Sequence, residues 1–287
     1  MAERYNLNND WQFFKESCPI SILNKKKFEN VDIPHTWNAI DGQDGGNDYH
    51  RGQCWYRRIF TLEEKIEGRA YLEFEAVNSV ANVYLNGRHL GEHRGGYSRF
   101  RFDITEYLAE SENTLLVSAD NSHFEDVYPL FADFTFYGGI YRDVNLIICE
   151  PMHFDMLDYG SDGVYITQKD ISTESATLEV KSRIVNEADE TDVRVSVTIK
   201  DAGGKPVAKN EQELAVADRA ESLIDIDIVN PILWNGIKNP YLYECEVELI
   251  AGGKVTDSIS IPTGLRFFSF DGDRGFFLNG EHMRLNG

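Results

Sequence analysis

The strongest constraint on the fold of this chain is a period of two in its hydrophobic residues. Apolar and polar side chains alternate from Val193 to Lys200, and the same alternation recurs from Tyr243 to Leu249. Successive side chains of a strand point to opposite faces, so this pattern predicts antiparallel strands with one buried and one wet face. Several such strands, separated by glycine turns, predict an immunoglobulin-like β-sandwich, although the Cys…Trp…Cys framework of antibody domains is missing.

The first half of the chain also reads as β-structure. Residues 71–76, 82–85, 113–117 and 143–148 are strand-like, and Asn86-Gly87 is a typical hairpin turn. Many strands joined by loops of Greek-key length predict a jelly-roll β-sandwich. The sequence therefore predicts an all-β protein with two successive sandwiches.

The distribution of aromatic residues divides the chain. None occurs between Ile166 and Leu233, whereas the first 165 residues are rich in them. Pro151 interrupts a strand-like stretch where this change begins. We therefore predict a jelly-roll domain over residues 1–150 and an immunoglobulin-like domain over residues 151–265, and residues 266–287 fall outside both.

Charge and composition exclude several classes of function. The formal net charge is −20, which disfavours binding to nucleic acid or to an anionic membrane surface. No stretch of the sequence approaches the roughly 20 apolar residues that a membrane helix needs. The partners predicted from composition therefore include neither nucleic acid nor a membrane.

The motifs of several enzyme classes are also missing from the sequence. It contains no HExxH motif, no P-loop and no GxGxxG, and its four cysteines are too far apart for zinc spacing. The scattered cysteines favour unpaired thiols in a reducing compartment. Residues 1–10 carry no basic-then-apolar leader, and we expect a cytoplasmic protein, or a periplasmic or secreted one if a leader has been removed.

A series of short motifs resembles the non-catalytic front half of glycoside hydrolase family 2, which includes β-galactosidases, β-glucuronidases and β-mannosidases. In chain order they are Pro34-His35-Thr36-Trp37-Asn38, Gly52-Gln53-Cys54-Trp55-Tyr56-Arg57-Arg58, Val83-Tyr84-Leu85-Asn86-Gly87, Asp103-Ile104-Thr105, Asp120-Asn121, Gly138-Gly139-Ile140-Tyr141-Arg142, Leu233-Trp234, Pro240-Tyr241-Leu242-Tyr243 and Gly264-Leu265-Arg266. Each motif alone is weak, but their common order over the whole chain is specific. The stretch 41–49 favours the β-galactosidase-like branch.

The resemblance implies a galactose-binding-like jelly roll, an immunoglobulin-like domain and then a (β/α)₈ barrel that carries the chemistry. Only 23 residues follow Gly264, whereas such a barrel needs about 200–250. Residues 266–287 are therefore expected to begin a truncated barrel domain. Retaining glycosidases use two carboxylates roughly 5 Å apart, and neither matches a position here, so we assign no catalytic residue and expect the chain alone to be inactive.

The resemblance also implies candidate substrate-binding residues. In β-galactosidases of this kind, a loop of the first domain supplies an Asp to the hydroxyls of the terminal sugar, and the matching position is Asp133. A carboxylate suits this role because it accepts two charge-assisted hydrogen bonds. The acidic loop at 41–49 offers Asp44 and Asp48 as further candidates, and each could instead be part of a solvated turn.

The same loop raises the question of a cation, and a rival function remains open. Asp41, Asp44 and Asp48 do not have EF-hand spacing, so we predict no metal site and no required cofactor, although a cation at the parent's sugar site is possible.

The parent enzyme could form a homo-oligomer and act on terminal β-galactosides, or be a β-glucuronidase or β-mannosidase. The rival is a free-standing carbohydrate-binding module, since fold does not fix function.

Overall fold

The protein is almost entirely β-structure, with 53% of its residues in strands and 3% in helices. The structure, a computed structural model, describes residues 2–41, 48–62, 66–189 and 192–285. It confirms the predicted fold class, a galactose-binding-like sandwich and an immunoglobulin-like sandwich. The chain divides into an N-terminal unit, residues 3–149 with 156–161, and a C-terminal unit, Ala2 with 150–155 and the residues from 162 onward.

The N-terminal unit consists of two antiparallel sheets. Its strands are β1 (Glu3–Asn6), β2 (Trp11–Phe14), β3 (Glu29–Val31), β4 (Gln53–Thr61), β5 (Arg69–Phe74), β6 (Val80–Leu85), β7 (Arg88–Arg94), β8 (Phe100–Asp103), β9 (Glu112–Asp120) and β10 (Val144–Cys149). One sheet has the order β1-β10-β5-β8, and the other has the order β3-β2-β4-β9-β6-β7. Two short 3₁₀ helices span Ile20–Lys25 and Thr105–Tyr107.

The two sheets enclose an aromatic core. Trp11, Phe13, Tyr56 and Phe74 are buried in one cluster with aliphatic residues from both sheets. At the predicted hairpin, Leu85 pairs with Arg88, and the two turn residues have φ angles of 51° and 80°. These left-handed values are those that asparagine and glycine tolerate, so the hairpin prediction is confirmed.

A buried ion pair lies within this unit. Glu73 on β5 is fully buried and accepts a hydrogen bond of 2.7 Å from Nε of Arg101, whose side chain is also fully buried. Nη1 of Arg101 donates to the carbonyl oxygens of Met156 and Ser161. Residues 156–161 are an excursion of the chain, since the residues before and after them belong to the C-terminal unit. Arg101 thereby holds the excursion 156–161 within the N-terminal unit.

The C-terminal unit is a second sandwich. Its strands are β11 (Met152–Phe154), β12 (Val164–Ile171), β13 (Ser175–Asn186), β14 (Asp192–Lys200), β15 (Pro206–Ala215), β16 (Arg219–Val229), β17 (Tyr243–Ala251) and β18 (Lys254–Thr263). β13 pairs with β11, β12 and β16, and the other sheet has the order β15-β14-β17-β18. The alternating residues of β14 and β17 supply buried apolar side chains on one face, as the sequence pattern predicts.

Residues after the second sandwich form a small three-stranded antiparallel sheet. It consists of β19 (Phe268–Asp271), β20 (Gly275–Leu278) and β21 (Glu281–His282). Phe268 and Phe270 are 61% and 73% exposed. None of the helices in the described chain combines the length and the apolar character that crossing a membrane requires.

Candidate functional site

Two buried asparagines lie at the centre of the candidate site in the N-terminal unit. Asn38 follows the Pro34–Trp37 motif, and Asn121 follows the end of β9. Nδ2 of Asn121 donates to Oδ1 of Asn38 at 3.2 Å. Because buried amide groups need partners for each donor and acceptor, the remaining bonds of this pair determine which backbone segments can pack around it.

The first segment held by the pair is the acidic loop that contains two of the candidate residues. Nδ2 of Asn38 donates to the carboxylate of Asp41 at 3.1 Å and to the carbonyl oxygen of His50 at 3.0 Å. Nδ2 of Asn121 also donates to the His50 carbonyl at 3.2 Å. The Asp41 carboxylate in turn accepts the backbone N–H of His50 at 2.9 Å. Asp41 and His50 are thus fixed as the two ends of this loop.

The second segment is the loop that contains Asp133. Nδ2 of Asn121 donates to the carbonyl oxygen of Phe136 at 3.0 Å, and the backbone N–H of Gly138 donates to Oδ1 of Asn38 at 2.7 Å. Nδ2 of Asn78 donates to the carbonyl oxygen of Tyr137 at 2.8 Å. The loop is therefore held at 121 and again at 136–138, only a few residues from Asp133.

Close packing explains why two glycines end this loop. A Cβ atom on Gly138 would lie 2.0 Å from Cζ2 of Trp37. Gly139 has a φ of 132°, and a Cβ there would lie 2.4 Å from the carbonyl oxygen of His35. Any larger residue would push the loop away from the Trp37 side of the core.

Electrostatics explains how Asp41 serves as a loop anchor. Burial raises the pKa of its carboxyl group, but the hydrogen bonds from the His50 backbone and the Asn38 side chain, aided by the charge of Lys15, outweigh burial and lower the pKa overall. The carboxylate is thus held ionised by bonds that favour its charged form. Asp41 has a structural role at the base of the loop.

Asp133 and Asp48, two of the predicted site residues, are solvent-exposed. Asp48 accepts the backbone N–H of Tyr49 at 2.8 Å, which is typical of a local turn. Within the described residues no hydrogen bond or ion pair joins Asp48 to Asp133. Asp44 lies outside the described residues. The substrate-binding roles of all three residues remain predictions.

Exposed aromatic residues surround Asp133 in sequence. Phe131 is 87% exposed, Tyr128 is 75% exposed and Phe134 is 54% exposed. Aromatic faces of this kind pack against the apolar faces of sugars or against another protein surface. Loops that expose carboxylates and aromatic rings are suited to carbohydrate recognition.

Sequence reasoning missed the central role of Asn38 and Asn121. Both residues belong to the quoted motifs, and the signal that could have identified them was a polar amide beside a buried tryptophan and at the end of an apolar strand. A cation at the acidic loop stays a prediction, because Asp44 lies outside the described residues. In the described part of the chain, no group of three His, Cys, Asp or Glu side chains is placed to hold a metal ion.

Sequence profiles identify the two sandwiches. The profile described as "Glycosyl hydrolases family 2, sugar binding domain" matches residues 6–151, more than half of the chain. The profile described as "Glycosyl hydrolases family 2" matches residues 162–266. The chain belongs to glycosyl hydrolase family 2. The expected family resemblance is confirmed.

Several family 2 proteins are similar to the chain over almost its whole length. A β-glucuronidase of Bacteroides fragilis is 39% identical over 285 residues, covering 98% of this chain and 40% of the relative. A β-galactosidase of Thermoanaerobacter pseudethanolicus is 30% identical, with 98% and 38% covered. The crystal structure of a putative β-galactosidase from Bacteroides fragilis is 37% identical with a TM-score of 0.92, covering 98% of this chain and 44% of that structure. The chain thus spans well under half the length of the family 2 proteins it matches.

Proposed function

We propose that this chain forms the sugar-binding and immunoglobulin-like part of a retaining β-glycosidase that acts on terminal β-linked hexosides. In this proposal it shapes the substrate site, and the two catalytic carboxylates belong to a barrel domain encoded beyond residue 287. The observation that carries the proposal is the Asn38–Asn121 network. It fixes the bases of two acidic loops side by side in the domain that matches a sugar-binding profile.

Asp133 is the residue we propose to contact the sugar. Its loop is held three residues away, at Phe136, while the Asp133 side chain itself is exposed and able to accept hydroxyl hydrogen bonds. Asp48, and Asp44 with it, would approach the same sugar from the acidic loop at 41–49. The exposed ring of Phe134 would cover an apolar sugar face.

Two substrates compete, and each has a specific observation in its favour. Similarity favours a β-glucuronide, because relatives that are 39% and 33% identical are β-glucuronidases. Charge favours a neutral β-galactoside, because a glucuronate carboxylate would meet Asp133 in a chain whose net charge is −20. The galactoside expectation is thus neither confirmed nor contradicted, and both glycosides belong in the test.

The first test is to read the source gene beyond the codon for Gly287. Continuation into a barrel domain with two suitably placed glutamates supports the proposal, and the longer protein should hydrolyse nitrophenyl β-glucuronide or β-galactoside. The 287-residue chain alone should hydrolyse neither. A stop codon directly after Gly287 would instead favour the binding-module alternative.

The second test concerns Asp133 in that longer protein. Removing a charge-assisted hydrogen bond to substrate costs about 1.5–3 kcal/mol, so Asp133→Ala should lower kcat/KM by roughly 10-fold to 150-fold. Glu125→Gln is the matched control, because Glu125 is an exposed acid of the same loop. Equal kcat/KM values for Asp133→Ala and the unsubstituted enzyme would remove Asp133 from the site.

A free-standing carbohydrate-binding module is the alternative function. This alternative requires measurable affinity of the isolated chain for a sugar. A chain that supplies only part of a glycosidase's substrate site should instead bind sugar weakly or not at all. Calorimetric titration with galactose, lactose and glucuronate separates these outcomes.

The remaining expectations stay proposals about the parent enzyme. We propose a cytoplasmic location, carbohydrate as the partner, no required cofactor and a homo-oligomeric parent. A cation at the parent's sugar site is compatible with this proposal.

A further inference from the structure

Three asparagine-glycine pairs lie within the described residues, and one of them differs from the other two in its hydrogen bonds. The pairs are Asn86-Gly87, Asn235-Gly236 and Asn279-Gly280. Asparagine is chemically labile, most of all before glycine, whose backbone nitrogen has no neighbouring side chain to shield it from the asparagine amide. The stability of each pair therefore depends on how firmly the structure holds the amide.

The amides of Asn86 and Asn279 are anchored at hairpin turns. Nδ2 of Asn86 donates to the carbonyl oxygen of Tyr107 at 2.8 Å, and its Oδ1 accepts the backbone N–H of Thr114 at 2.9 Å. The amide of Asn279 donates to the carbonyl oxygen of Trp234 at 2.9 Å and accepts a backbone N–H at 3.1 Å. Each amide must lose two hydrogen bonds before it can turn towards the glycine that follows it.

The amide of Asn235 makes no hydrogen bond within the described residues, and the N–H of Gly236 donates none there. The carbonyl oxygen of Asn235 accepts from Lys238 and Asn239 at 3.2 and 3.4 Å, which is long for such bonds. The short bond of this turn, 2.7 Å, joins the N–H of Asn235 to Asn239. Rotation about the Cα–C bond of Asn235 leaves that N–H in place, so the glycine nitrogen can approach the amide carbon without breaking the short bond.

The surroundings of Asn235 admit water and carry positive charge. Asn235 is half-buried and lines a depression of about 240 Å³ together with Lys238, His282 and Arg284. The lining also includes Glu281, which pairs with Lys238 at 3.2 Å. Two cations and one carboxylate therefore face this space, and a cation nearby favours loss of a proton from the glycine nitrogen.

We propose that Asn235-Gly236 is a site of spontaneous covalent modification, at which water converts Asn235 into aspartate and isoaspartate. The Gly236 N–H gives its proton to hydroxide, and its nitrogen forms a bond with Cγ of Asn235. The bond between Cγ and Nδ2 breaks, and Nδ2 takes a proton from water and leaves as ammonia, which regenerates the hydroxide. Water then opens the five-membered ring at Cγ to give aspartate, or at the main-chain carbonyl to give isoaspartate.

The product places one more carboxylate in the depression. This carboxylate cancels the excess positive charge of Lys238 and Arg284 over Glu281, and isoaspartate also adds a methylene group to the main chain of the turn. The modification is independent of the sugar site proposed above, because it lies in the C-terminal unit and uses none of the residues of the Asn38–Asn121 network.

Peptide mapping by mass spectrometry tests the proposal on the folded 287-residue chain, incubated at mildly alkaline pH. Replacement of the amide NH₂ by OH raises the mass of the peptide that contains it. Asn235 should be modified at least about 10-fold faster than Asn86 or Asn279, because those amides must first lose two hydrogen bonds. Equal rates at the three pairs in the folded chain would overturn the proposal.

Two comparisons separate the effect of the fold from that of the sequence. In the chain unfolded in urea the three pairs should react at similar rates, because no hydrogen bond then distinguishes them. Asn235→Gln should abolish the mass increase in its peptide, since the longer side chain does not form the five-membered ring. An Asn235 that reacts in the unfolded chain but stays intact in the folded chain would show that the turn protects it, which contradicts the proposal.

Discussion

The side-chain oxygen of Asn38 accepts a hydrogen bond from Nδ2 of Asn121 across a sequence separation of 83 residues. This contact joins the two loops that contain Asp48 and Asp133, because each asparagine also bonds the backbone at the base of both loops. Most hydrogen bonds of this network join amide side chains to backbone groups, and such bonds form only at short distances. Loss of these bonds should lower the free energy of unfolding, which can be measured before any substrate is known.

Asn121→Ala should destabilise the N-terminal unit by about 1–3 kcal/mol, because it leaves the carbonyl of Phe136 and the N–H of Gly52 without their partner. The measurement is urea unfolding followed by tryptophan fluorescence. Three of the four tryptophans belong to this unit, so fluorescence reports mainly on it. Asn30→Ala is the control, since Asn30 is exposed on β3, and it should change stability by less than about 0.5 kcal/mol. Equal midpoints for the two variants would contradict the structural role of Asn121.

Gly138→Ala should destabilise the same unit by roughly 1–3 kcal/mol, because the added methyl group would overlap the ring of Trp37 and force the loop base or the ring to move. Gly272→Ala is the matched control, because a Cβ there meets no atom within 4 Å and the backbone does not require glycine. Thermal unfolding by circular dichroism compares both variants with the unsubstituted chain. A Gly138→Ala protein as stable as the Gly272→Ala protein would show that the packing at Trp37 tolerates a side chain.

Asp41 should make the stability of the chain depend on pH in a defined direction. Its pKa is lower in the folded protein than the ordinary value of 3.8, so its ionised form stabilises the fold above that value. This stabilisation should be lost as the pH falls below 3.8 and through the lower folded pKa. Asp41→Asn removes the charge, and its stability deficit relative to the unsubstituted chain should therefore be present at pH 6 and shrink at pH 3. A deficit that stays constant over this range would mean that ionisation of Asp41 does not contribute.

The fold was accessible from sequence because its signals are local. The alternation of Val193, Val195 and Val197 and the turn at Asn86-Gly87 each specify structure over a few residues, and both occur as predicted. The site was less accessible because it depends on contacts distant in sequence. Nothing near Asn38 indicates that its oxygen will meet the N–H of Gly138, 100 residues later.

The buried charges of the first sandwich illustrate the same limit of local patterns. Glu73 alternates with apolar residues in Tyr71–Ala76, where strand periodicity says only that it faces the side opposite Leu72 and Phe74. That side is also buried, because Arg101 and the excursion 156–161 cover it. Alternation therefore identified the strand correctly but could not show that its polar face is dry.

Glu73→Gln should be the most destabilising of these substitutions, at about 3–5 kcal/mol. The neutral amide would leave the fully buried guanidinium of Arg101 without a counter-charge, and removing one partner of a buried pair costs far more than the pair contributes. Asn145, which donates to the Glu73 carboxylate at 3.0 Å, would also lose a charged acceptor. Urea unfolding by fluorescence measures the loss.

Glu92→Gln supplies the comparison for Glu73→Gln, since Glu92 pairs with Arg94 on the surface of the same unit, where solvent screens the interaction. The loss for Glu73→Gln should exceed that for Glu92→Gln several-fold. Raising the salt concentration should weaken only the Glu92 pair, because exposed charges are screened and fully buried charges are not. Similar small losses for both variants would mean that Glu73 and Arg101 exchange with water, and the face of the sheet that carries Glu73 would then be hydrated rather than dry.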